Sequence, residues 1–144
     1  ILRKICTHFC VRETCRLGAK VNFTLTEEQR HFIESVKKFA ERHLSEDSLS
    51  RAHTTEYPRD VAKILADQGL MGITLTETSG GQGGNLMDAV LAIEQIANIC
   101  PRSADVIQAG NFGAIRTLAE FGSEFLKEKY LSSLLKGDTL IAIG

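Results

Sequence analysis

Cysteine and histidine gather where metal chemistry could begin, with Cys6, His8, Cys10 and Cys15 inside one ten-residue stretch. Zinc sites usually pair ligands two to four residues apart and then leave a longer spacer before the second pair, a pattern this stretch lacks. The other histidines, His31, His43 and His53, and the lone Cys100 are scattered, so no clustered ligand set emerges. No Gly-x-Ser-x-Gly elbow is present to activate a serine nucleophile. Gly80, Gly81, Gly83 and Gly84 invite a phosphate-loop reading, because glycine lets backbone N–H groups approach an anion. No Lys-Ser or Lys-Thr follows them, and a flexible turn that lets Asn85 cap the next helix explains them more cheaply. Glu94 stands on an otherwise apolar segment, which suits either a buried acid with a raised pKa or a partner for a basic side chain of a neighbouring helix. No catalytic or metal constellation is assigned.

The elements that must hold these residues read as helices. The chain has 144 residues, 43% hydrophobic and 24% charged, with a net charge of −1, enough for one folded core without disulfide staples and too balanced for a disordered tail. Residues 1–22 differ from the rest: Arg3, Lys4, Arg12, Arg16 and Lys20 face only Glu13, a local charge of +4. Such an Arg-rich, acid-poor leader suits a mitochondrial transit segment, with a disordered remnant as the equal alternative. The absence of a secretory signal argues against disulfides.

Beyond residue 23, Thr26-Glu27-Glu28-Gln29 reads as a capping box, opening a helix with Phe32, Ile33, Val36, Phe39 and Ala40 on one face. A polar connection over 45–56 leads to Tyr57-Pro58, with Pro at the first position of a second helix whose stripe is Val61, Ile64 and Leu65 and whose terminator is Gly69. A third helix from Leu86 to about Asn98 is apolar over more than half its circumference and so central to the core. A fourth, Ser103 to Phe121, carries small residues at Ala104, Ala109, Gly110, Gly113 and Ala114. Each interior Gly costs about 1 kcal/mol relative to Ala, so something approaches that face closely, either a packed helix or a ligand in a cavity. A fifth helix, capped by Ser123 and ended by Gly137, turns Phe125, Leu126, Tyr130, Leu131 and Leu134 inward; residues 139–143 have the character of a strand beginning. The expectation is an all-α, up-and-down-like bundle of about five to six helices, with the start of a β-strand at the C-terminus.

Taken in order, these segments resemble the N-terminal helical domain of the acyl-CoA dehydrogenases. The likeness rests on Leu25-Thr26-Glu27-Glu28-Gln29, Phe39-Ala40-Glu41-Arg42, Tyr57-Pro58, Gly69-Leu70-Met71-Gly72-Ile73, Gly80-Gly81-Gln82-Gly83, Glu94-Gln95-Ile96-Ala97, and Phe121-Gly122-Ser123 through Lys129-Tyr130-Leu131 to Lys136-Gly137-Asp138. Ser79 and Ser132 depart from it, standing where the family often has an aromatic and a proline. The resemblance implies residues 23–138 as the helical domain and 139–144 as the start of a β-domain. It implies an FAD-dependent enzyme that oxidises the Cα–Cβ bond of an acyl-CoA thioester and passes electrons to electron-transferring flavoprotein, usually as a homotetramer. An acyl-CoA oxidase, or a flavin monooxygenase of the same fold, is the neighbouring alternative; a stand-alone helical interaction module is the more distant one. By position, Val106, Ala109, Gly110 and Gly113 are expected to face the acyl group, and Ile143 and Gly144 to lie close to the flavin. With the basic leader, the resemblance implies the mitochondrial matrix, or the cytoplasm of a bacterium.

Overall fold

A computed structural model describes residues 24–142. Seven α-helices occur among them: α1 (Glu27–Leu44), α2 (Ser48–His53), α3 (Arg59–Asp67), α4 (Leu86–Ile99), α5 (Pro101–Asn111), α6 (Ala114–Phe121) and α7 (Glu124–Leu135). Two 3-10 turns, Leu70–Gly72 and Glu77–Ser79, lie between α3 and α4. No strand forms among the described residues, and 139–142 run on without regular structure. A strand needs a second strand for its backbone N–H and C=O groups, and none is present among the described residues; the Thr139 N–H instead donates to the Ser133 carbonyl at 3.4 Å.

Local chemistry sets several helix ends. Thr26 Oγ1 accepts from the Gln29 N–H at 3.1 Å while the Thr26 N–H donates to Gln29 Oε1 at 3.0 Å, a reciprocal capping box. Asn85 does the same for α4 with Asp88. Gly69 and Gly137 sit at φ 72° and 69°, left-handed values that stop α3 and α7 at no steric cost. The end of α1 is closed differently: the polar connection contains a short helix, α2, whose Arg51 Nη1 donates to the Leu44 carbonyl at 2.9 Å. Pro58 falls one residue earlier than expected, as the cap before α3.

The core is built from α1 (Val36, Ala40, Leu44), α3 (Val61, Ala62, Leu65), α4 (Ala89, Ala92, Ile96) and α5 (Ala104, Val106, Ile107), with Leu70, Met71, Ile73 and Leu75 running through its middle. The main packings are α4 on α5, α1 on α4, and α5 on the Leu70–Gly72 turn.

Two expectations are corrected. The long fourth helix is two, because the chain breaks at Phe112 and Gly113 before restarting at Ala114. In α7 only Leu131 and Leu134 of the five expected inward residues are buried, while Phe125 is 68% exposed and Leu126 and Tyr130 are also open to solvent. The reason is how α7 docks: its C-terminal half presses on the core, with Leu135 over Gly72 and Gly80 and Gly137 against the Ala62 carbonyl. Its N-terminal half stands away, and Lys129 sits over the rings of Phe125 and Tyr130 at 5.6 and 5.0 Å. Helix α4 likewise buries one apolar face and leaves Leu86, Met87 and Val90 about half exposed.

Candidate functional site

The small-residue face of α5 is held by one buried side chain. Asn111 is fully buried. Its Nδ2 donates to the carbonyls of Leu70 at 2.8 Å and Ile107 at 3.0 Å. Its Oδ1 accepts from the Thr74 N–H at 3.0 Å, and the Thr74 hydroxyl donates to the Asn111 carbonyl at 3.1 Å. These bonds clamp the last turn of α5 onto segment 70–74, and they bring that segment so close that a Cβ on Gly110 would collide with the Met71 carbonyl oxygen. The sequence reading missed Asn111 and Thr74. The available signal was an asparagine on an apolar helical face beside a glycine, where a free amide would be costly unless bonded.

The four predicted acyl-facing residues divide. Val106 and Gly110 are buried and packed into the core, whereas Ala109 is exposed and Gly113 lies in the α5–α6 break, partly exposed. At Gly110 the close approach is therefore made by protein backbone. The outward edge of this helix end consists of Ala109, Phe112 (41% exposed) and Gly113. Two open grooves lie elsewhere. One, of about 540 Å³, runs between α7 and the glycine-rich turn and includes Lys127, Leu131 and Ser79. The other, of about 810 Å³, lies between α1, segment 68–73 and the start of α4, with Phe32, Gln68 and Asp88 in its wall. Neither touches the four predicted residues.

The glycine-rich turn has no N–H groups left for an anion. Those of Gly80, Gly81, Gln82, Gly83 and Gly84 donate to the carbonyls of Glu77, Thr76, Gly72, Leu75 and Ile73 at 2.7–3.0 Å. A Cβ on Gly81 would strike the Leu75 carbonyl, so glycine here lets two backbone segments touch. The turn caps α4 through Asn85 as expected, but it is a hydrogen-bonded clasp and not a loose one.

Glu94 is exposed and takes part in none of the four ion pairs present among the described residues. Neither the buried-acid nor the paired-charge expectation describes it. Burial pushes the Tyr57 phenol above its ordinary value, with Arg59 pulling the other way, so the phenol stays protonated at neutral pH. No group of three or more His, Cys, Asp or Glu side chains is placed to hold a metal among the described residues. Cys6, His8, Cys10 and Cys15 lie outside those residues, as do the rest of the leader and Ile143 and Gly144, the two residues expected to lie close to a flavin. Leu140 and Ile141, which precede that pair, are 45% and 41% exposed.

The family model for "Acyl-CoA dehydrogenase, N-terminal domain" matches residues 26–138. A short-chain-specific acyl-CoA dehydrogenase of Clostridium acetobutylicum is 29% identical over 124 residues, which are 86% of this chain and 33% of that protein. Among solved structures, butyryl-CoA dehydrogenase from Megasphaera elsdenii superposes with a TM-score of 0.70 at 28% identity, covering 83% of this chain and 32% of that one. The structure of PigA with FAD and proline gives a TM-score of 0.70 at 27% identity, covering 81% and 31%. The chain thus spans about a third of the length of the proteins it matches. With the order of its elements and the domain match in agreement, the chain belongs to the acyl-CoA dehydrogenase family, in which residues 26–138 correspond to the N-terminal helical domain.

Proposed function

We propose that this chain serves as the N-terminal helical domain of an FAD-dependent acyl-CoA dehydrogenase that oxidises the Cα–Cβ bond of an acyl-CoA thioester. The observation that carries the reading is the unbroken domain match over residues 26–138, supported by relatives named for short acyl-CoA substrates. FAD, when bound, supplies the hydride acceptor. The part of this chain is to bind and to exclude water: of Val106, Ala109, Gly110 and Gly113, the solvent-facing Ala109 and the partly exposed Gly113 would contribute one wall of the acyl-chain site. The buried Val106 and Gly110 would fix the helix behind them, a role supported by their packing into the core. Each methylene removed from water against such a wall contributes about 0.8 kcal/mol to binding. Ile143 and Gly144 would approach the flavin. Electrons then pass to electron-transferring flavoprotein, and the assembly is a homotetramer.

A flavin enzyme of this fold acting on another substrate is the second reading, favoured by the similarity to PigA, whose structure holds FAD and proline. Hydrogen peroxide formed on reoxidation would mark an oxidase.

No residue of this chain is assigned the role of the base that removes the Cα proton. Mixing the 144-residue chain with an acyl-CoA thioester and an artificial electron acceptor is therefore expected to give no turnover, and measurable dehydrogenation would overturn that division of labour.

The mitochondrial-matrix address rests on the composition of residues 1–22, since the two relatives named above with a source come from bacteria. Residues 1–22 fused to a reporter should be imported by isolated mitochondria. A reporter left outside returns the reading to a cytoplasmic bacterial enzyme.

A further inference from the structure

We draw no further inference here: the strongest candidate, the exposed aromatic patch of Phe125 and Tyr130 beneath Lys129 on α7, carries nothing because nothing in the structure shows what covers it.

Discussion

Replacing Asn111 with leucine is expected to lower the stability of the folded domain by about 4 kcal/mol, because the substitution leaves buried polar groups without their side-chain partner. The Leu70 carbonyl and the Thr74 N–H both bond to this one amide, and neither gains a substitute from an aliphatic side chain. Each orphaned group costs about 1–3 kcal/mol, and the added apolar volume does not offset that in a packed interior. Urea denaturation followed by circular dichroism reads the loss as a lower midpoint at unchanged slope. Asn111→Asp separates hydrogen bonding from shape. It keeps the oxygen facing Thr74 but turns an acceptor toward the carbonyls of Leu70 and Ile107. In that variant the buried carboxyl holds its proton more tightly when folded than when unfolded. The native state then binds more protons, and stability falls as pH rises past the ordinary carboxyl value of about 3.9. A leucine variant as stable as the parent would show that the clamp contributes little.

The second large effect is expected at Gly110. Alanine in a helix interior ordinarily gains about 1 kcal/mol over glycine. Here its methyl group would strike the Met71 carbonyl oxygen, a backbone atom that cannot rotate aside. Relief requires α5 to move away from the Leu70–Gly72 turn, at an overpacking cost of about 3 kcal/mol. Gly110→Ala should therefore destabilise by about 2 kcal/mol, opposite in sign to the helix-propensity expectation. Urea titration decides it: a gain in stability would mean that the two segments do not lie as close as described.

Much of the fold was legible because its instructions are local. Thr26 with Gln29, Asn85 with Asp88, Gly69 and Gly137 mark helix ends through bonds and dihedrals that span only a few residues. What stayed hidden depends on partners distant in sequence. Thr74 and Asn111 are 37 positions apart, and no periodicity signals their bond. The same holds for the close backbone approaches that explain Gly81, read as part of a flexible turn, and Gly110, which composition left divided between packing and a ligand. The aromatic residues of α7 read as core because they are apolar and helically spaced, yet whether a face is buried depends on a neighbour that no helix encodes within itself. Of the four residues expected to face the acyl group, Val106, Ala109 and Gly110 do fall on one helix, while Gly113 falls in the break that divides the long helix expected there. The sequence could not tell that Val106 and Gly110 turn into the core while Ala109 turns outward.

The most direct test of the central claim is a domain exchange. Residues 26–138 would replace the matching N-terminal segment of the Clostridium acetobutylicum acyl-CoA dehydrogenase, leaving the rest of that enzyme intact. A functional helical domain predicts a hybrid that retains FAD, whose flavin absorbance is bleached by a short acyl-CoA thioester, and whose profile over acyl-chain lengths changes when Ala109 is enlarged to leucine. A hybrid that folds and holds FAD, yet whose flavin no acyl-CoA thioester reduces, would contradict the assignment of this chain as the acyl-binding wall of a dehydrogenase.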